Sequence, residues 1–575
     1  MENQGAAAPN LDYDRKAVEG GVYFNLGSYG RKVTTRNTEA QMWFDRGLVW
    51  SYGFNHEEAA RCFERANRSD PHCCMALWGI AYALGPNYNK PWDFFDDEER
   101  ETNLQRSRSA LLAAEQNAKL GFATPAEAAL IEAAGFRYPS SHDTKDYGSW
   151  NKGYARAMEN VYNRFPADLD VATLYADALM NLTPWALWDL RTGKPTPDSR
   201  TLDAKAVLDR AIAQPGGSEH PGLLHLYIHL MEMSSDPGSA LPVANRLRGL
   251  VPDAGHLNHM PTHLDVLCGE WQDAITSNTE AIDADEKYLA QAGALNFYSL
   301  YRSHNYHFRI YAAMFAGQFK VAIDTVALVE ASLTDELLHI ESPPMADWLE
   351  SFLSMRVHVL VRFGKWDDIL ALSTPEDQNL YCMTTAMLHY GKTIAWAAKR
   401  NVDEAEREQK LFREAQARVA ESRTLFNNTA KDILKIGAAM TDGELDYRKE
   451  NFALAFGALR KAVDLSDNLP YDEPWGWMQP PRHALGALLL ERDRVEDAAA
   501  VYKADLGLDD TLPRALQHPK NVWALHGYHE CLERMGQGEE AKKIKKQLEE
   551  SEAKADVSVT SSCFCRSNPA AQTQL

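Results

Sequence analysis

One pattern recurs along this chain and limits its fold more than its composition does. A turn residue is followed by a residue that packs, then by apolar positions at helical spacing. It appears as LCGEWQDAITSNTEAI from Leu267, FAGQFKVAIDTVALV from Phe315 and RFGKWDDILALS from Arg362. It returns as YRKENFALAFGALRKAV from Tyr447, ERDRVEDAAAVY from Glu491 and RMGQGEEAKKIKKQL from Arg534. Helical units of this kind cannot bury their apolar faces alone, so they must stack on one another. Strand signals are nearly absent. The spacing therefore predicts an all-α solenoid of divergent helical-hairpin repeats, with Gly269, Gly317 and Gly364 standing 48 and 47 residues apart.

The stretch MWFDRGLVWSYGFNHEEAARCFERANRSDP, from Met42 to Pro71, carries a fuller signature. Gly47 and Tyr52 fall on a first helix, Ala59, Phe63 and Ala66 on a second, and Asp70-Pro71 ends the unit. This resembles a tetratricopeptide repeat. The expected organisation is an N-terminal extension over 1–40, a tetratricopeptide-like solenoid over 41–550 and a flexible tail over 551–575. That tail holds Cys563 and Cys565 in SSCFCRSNPAAQTQL, which is too polar to fold by itself. A solenoid is usually a scaffold, and fold alone does not decide function.

The middle of the chain departs from a plain scaffold. Eight of the 18 histidines (His220, His225, His229, His256, His259, His263, His304 and His307) lie between 220 and 307, where an even spread would put about three. HPGLLHLYIHLMEM, from His220, is apolar almost all round, and Pro221 suits a first helical turn. His225, His229 and Glu232 stand at i, i+4 and i+7 on one stripe of that helix. A helix apolar on every side is buried, and an unpartnered carboxylate there is costly. Either a hydrogen-bonded core network or a divalent metal answers the stripe.

Two further segments favour the metal. In GHLNHMPTHL, Pro261 reads as a helix start, with His259 just before it and His263 in the first turn; YRSHNYHF adds His304 and His307 at i, i+3. The expected ligands are His225, His229, His259 and His263, with Glu232 as a further ligand or as a partner behind them. His304 and His307 would complete the set or serve a second ion. His56, in GFNHEEA, and Cys563 and Cys565, on a tail able to fold back, are additional candidates. Imidazole and carboxylate suit Zn, Cu, Fe or Ni, and added thiolates favour Cu or Zn.

The remaining features exclude more than they assign. A net charge of −21 and a pI near 5.4, with no Lys/Arg cluster, argue against nucleic acid. No stretch has about 18 consecutive apolar residues and no signal region opens the chain, so no membrane and a cytoplasmic location are expected. Eight cysteines are too few for a disulfide scaffold. YHECLE, from Tyr528, is not H-E-x-x-H, and no Walker loop or G-x-S-x-G is present.

YGFNHEEAARCFERA, DPHCCMALWGIAYALGPNYN, DVATLYADALMNLTPWALWD, HPGLLHLYIHLME, GHLNHMPTHL, SHNYHF and DEPWGWMQPPRHALGALLL span most of the chain. Together they resemble a family of bacterial and fungal tetratricopeptide-repeat proteins of about this length, marked by HPGxxHxYIHxxE and HMPxH segments. The resemblance implies a solenoid with a histidine-rich centre. In fungi such proteins are found beside secondary-metabolite genes, which implies a tailoring enzyme. The expected function is a metal-dependent oxidoreductase, an oxidase or oxygenase using copper or iron on a small-molecule substrate. The aromatic stretches NLTPWALWD and YDEPWGWMQPP are candidate walls for the substrate pocket. The alternatives are a zinc-dependent hydrolase, or a non-enzymatic scaffold holding a protein or peptide in its groove.

Overall fold

The computed structural model describes residues 23–138 and 145–566. About 67% of the chain is helical. Among the described residues the only strands are two antiparallel pairs, Trp188–Asp189 with Lys194–Pro195 and Thr424–Leu425 with Asn428–Thr429. The all-α solenoid expected from the repeats is the architecture observed. No helix among the described residues is long and apolar enough to cross a membrane.

Stacking follows a simple steric rule. Phe63, on helix His56–Ser69, lies between Gly47 of the helix before it and Gly79 of the helix after it. A Cβ at Gly47 would meet the Phe63 ring at 2.8 Å, and one at Gly79 would meet it at 2.4 Å. Tyr502, on Val495–Asp505, repeats this between Gly486 and Gly527, where an added Cβ would lie 2.4 and 2.3 Å away. The aromatic of a second helix thus fills a slot that glycine opens in the first helices on either side. Gly269, Gly317 and Gly364 close the first helices of their units in the left-handed region, with φ of 74°, 73° and 63°. A side chain is strained there, so these positions set where each hairpin turns.

The apolar residues form two large clusters, one running from Phe24 to Tyr301 and the other from Met233 to Cys565. They overlap where the histidine-bearing helices lie. Four irregular stretches, over 84–96, 181–200, 419–429 and 468–480, leave the repeat pattern.

Both ends of the described chain are packed. Residues 23–37, within the expected N-terminal extension, are tied down by Asn25 N–H to Asp253 (2.6 Å) and by Arg31 to Asp168 (2.6 Å) and Asp170 (2.9 Å). The flexible tail expected over 551–575 is corrected up to Arg566. The carboxylate of Asp556 accepts from the backbone of Phe319 and Lys320 (2.6 and 2.8 Å), capping that helix. The Ser562 hydroxyl donates to the His483 carbonyl at 2.8 Å, and Arg566 makes a bidentate pair with Glu530 (2.6 and 2.8 Å). Polar composition hid this because the tail borrows its partners from the solenoid. Residues 567–575 lie outside the described residues.

The slot rule predicts that Gly79→Val destabilises the protein by about 1–3 kcal/mol through overpacking against Phe63. Gly457→Ala, on an exposed helix face with nothing within 4 Å of the new Cβ, should instead stabilise by about 0.5–1 kcal/mol. Urea midpoints measured side by side check both signs. Equal midpoints for Gly79→Val and wild type would remove the steric reading.

Candidate metal centre

Three helices bring the central imidazoles together. Pro221–Glu232 starts at Pro221 as expected, with the His220 ring accepting from Leu223 N–H (3.2 Å) as its N-terminal cap. His220 is also in contact with Tyr29 (2.8 Å) and Asp170 (3.3 Å), so it serves the helix end. Gly222 lets this helix approach the first repeat: a Cβ there would meet the Tyr52 ring at 2.7 Å. That approach places His225 Nδ1 2.5 Å from the Tyr52 carbonyl.

The second segment begins earlier than Pro261. A short helix, Gly255–His259, passes through Met260 in right-handed helical conformation into Pro261–Cys268. His256, His259 and His263 therefore stand at i, i+3 and i+7 along nearly continuous helix. Gly255 seats it, since a Cβ there would fall 1.9 Å from the Asp285 carboxylate. The third helix, Tyr298–Phe315, contributes His304.

The result is two adjoining groups of three, His225/His229/His256 and His259/His263/His304. Within each, one nitrogen per ring lies within 4.8 Å of the others. All six side chains are buried. The groups touch through His229 and His263, whose ring centres are 5.5 Å apart, and through His256 and His259, at 5.8 Å. Burial pushes the His225, His229, His256, His259 and His304 rings well below their ordinary pKa. They are neutral imidazoles, the form that coordinates metal.

Hydrogen bonding fixes which nitrogen is free. His225 donates Nδ1–H to the Tyr52 carbonyl, and His229 donates Nδ1–H to Glu232 Oε1 at 3.1 Å. Each leaves Nε2 with a lone pair and no hydrogen-bond partner among the described residues. His263 Nδ1 lies 2.6 Å from Glu232 Oε2. His259 Nδ1 lies 2.7 Å from Asn278 Oδ1, and the Asn278 amide is oriented by donating to the Ala274 carbonyl. The two Nε2 atoms of this pair face each other at 2.9 Å, where they either share one proton as a hydrogen bond or both turn lone pairs to a cation.

Five ring nitrogens of the six histidines have no hydrogen-bond partner among the described residues: Nε2 of His225 and His229, both nitrogens of His256, and Nδ1 of His304. At about 1–3 kcal/mol for each buried unsatisfied group, their sum rivals the whole stability of a domain. A metal ion satisfies lone pairs that point at one place.

The carboxyl groups behind the rings are as buried as the rings. Glu232 bridges His229 and His263, one member of each group. Burial pushes it up to about 8; His263 opposes the shift and Glu473 adds to it. Glu473 Oε2 lies 2.5 Å from His263 Nδ1, and its other oxygen accepts from the Tyr471 hydroxyl.

A cleft reaches the centre from outside. Trp185, Tyr301, Trp348 and Phe426 wall it, with His304, Asp472 and Glu473 also in its lining. Trp185 and Glu473 come from the two aromatic stretches expected to form pocket walls. Among the described residues, eight non-glycine residues have positive φ; three are aromatic, namely Phe54 (55°), Trp185 (58°) and Phe426 (48°). Each rests on a central histidine: Phe54 on His225 (4.4 Å between ring centres), Trp185 on His229 (5.9 Å) and Phe426 on His304 (4.7 Å). Left-handed backbone costs a bulky residue about 1–2 kcal/mol, and such strain collects at functional sites.

Not every sequence candidate reaches the centre. His307, on the next turn from His304, faces Phe352 at 5.3 Å, with His358 nearby. His56 starts its helix and lines a separate cleft with Asn55 and Lys90, so it is not a member of either group. Cys563 and Cys565 are disulfide-bonded to each other and lie beside Glu444. Their tail packs against Arg448, Gly364 and Trp523. In turn, the sequence reading left out His256 as a ligand, because taking Pro261 as the helix start put it in a loop. It also missed Glu473 as a neighbour of His263, for which no local pattern exists.

No protein-family model matches this chain, and no curated protein matches it. Solved structures match over most of its length at low identity. The APC/C hetero-tetramer Cut9–Hcn1 is 14% identical over 88% of this chain and 79% of its own, with a TM-score of 0.30. The human IFIT1 dimer with PPP-AAAA is 11% identical over 88% and 89%, with a TM-score of 0.30. Yeast Tom70 is 13% identical over 90% and 93%, with a TM-score of 0.28.

Proposed function

We propose that this chain is a metal-dependent oxidoreductase, with copper the favoured ion and iron next, that oxidises a small molecule admitted through the aromatic cleft. One observation carries the reading: buried imidazole nitrogens of His225, His229 and His256 have no hydrogen-bond partner among the described residues and lie close together, with the far nitrogens of His225 and His229 held by the Tyr52 carbonyl and Glu232. Donation from the far nitrogen is how metal-binding histidines are oriented.

Imidazole ligands suit copper and iron as well as zinc. A copper centre supplies one-electron redox steps, which suits oxidase or oxygenase chemistry. The apolar cleft walls and the fungal resemblance support a small-molecule tailoring role. Glu232 and Glu473 hold the ring tautomers, and Trp185, Tyr301 and Phe426 limit water around the imidazoles.

Elemental analysis of protein purified without added chelator should find copper, and removing it should lower the melting temperature, because an ion bound only by the folded state stabilises that state. Zinc in its place would support the hydrolase, and absence of any metal would leave the scaffold.

His229→Ala should lower metal content while leaving the helical circular-dichroism signal intact, since the surrounding helix keeps its apolar contacts. His56→Ala, His307→Ala and the double change Cys563→Ser/Cys565→Ser should each keep wild-type metal content. Full occupancy in His229→Ala with a lowered melting temperature would instead make these histidines a structural network.

A further inference from the structure

Six imidazoles are more than one ion of this class takes, since zinc and copper are satisfied by about four strong ligands. Resting on the metal-centre reading above, we infer that the centre is dinuclear, with one ion on His225, His229 and His256, a second on His259, His263 and His304, and Glu232 as the positioning residue that sets both. Three imidazoles on each ion leave each with an open coordination position.

Glu232 is the link. Its Oε1 accepts from His229 Nδ1 at 3.1 Å and its Oε2 from His263 Nδ1 at 2.6 Å. One carboxyl group thereby touches a ring of each group and fixes the two rings relative to each other. The competing set, His229, Glu232 and His263 around one ion, fits less well. Using Glu232 and the two Nδ1 atoms as ligands would break both hydrogen bonds, and it would leave His225 Nε2 and both nitrogens of His256 unanswered.

The two positions are not equivalent. His304 lines the cleft, so the ion it helps hold meets an entering molecule first. The other group lies behind aromatic rings: Tyr301 is 4.8 Å from His256, Tyr88 is 4.9 Å from His229, and Phe54 is 4.4 Å from His225. An ion held there would be shielded from direct contact with substrate.

Copper(II) sulfate titrated into metal-free full-length protein tests this, read by bound equivalents and by electron paramagnetic resonance. Wild type should take up two ions with a spin-coupled spectrum. His225→Ala and His304→Ala should each retain one ion with an isolated-ion spectrum. Glu232→Gln is nearly isosteric but can accept from one ring only, and it turns an N–H toward the other. It should weaken copper binding by about 10–100-fold with unchanged circular dichroism. A single ion in wild type, or two ions held by Glu232→Gln at wild-type affinity, overturns the dinuclear inference while leaving a metal centre standing. No copper in wild type overturns the metal-centre reading itself.

Discussion

The constraint on which this structure turns is the burial of six histidine rings and two carboxyl groups at the junction of two apolar cores. Water is excluded there, so each ring nitrogen must find a partner within the protein or on a bound ion. The Tyr52 carbonyl, the Asn278 amide and Glu232 answer one nitrogen on each of four rings. The others point inward. Burial favours the neutral form of His225, His229, His256, His259 and His304, the form that donates to a metal. The low-polarity environment that makes the cluster costly is also what suits it to bind an ion.

That cluster explains features the repeats leave unexplained. A solenoid of hairpins needs no irregular stretches, yet the loops over 84–96, 181–200, 419–429 and 468–480 supply Tyr88, Trp185, Phe426 and Glu473, all placed at the histidines or at their cleft. Three of these four side chains are aromatic. Two of them, with Phe54, adopt a backbone conformation that bulky residues avoid. Local rules are broken where a site must be shaped, and the surrounding packing holds the strained residues in place.

Glycine acts in two senses. Gly47, Gly79, Gly486 and Gly527 make room for a ring between stacked helices, which is scaffold work. Gly222 and Gly255 use the same close approach to bring a histidine helix against its neighbour, and so convert repeat packing into site geometry. The tail shows the converse. Its polar residues look unable to fold alone, and they pack because Glu530, His483 and the amides of Phe319 and Lys320 offer them partners.

Much of this was written in the sequence, because it depends on local periodicity. The hairpin repeats, the helix opened by Pro221, and the buried stripe of His225, His229 and Glu232 all follow from spacing along one helix. His259, His263 and His304 were legible by residue type. The tertiary structure decided what distant segments do to one another. It drew His256 into the cluster by extending a helix backwards past Pro261, and it turned His307 away toward Phe352. It kept His56 and the two tail cysteines apart from the centre, and it brought Glu473 against His263 from far along the chain. Sequence spacing fixes which face of a helix a side chain occupies. Only the packing of one helix on another fixes what that face meets.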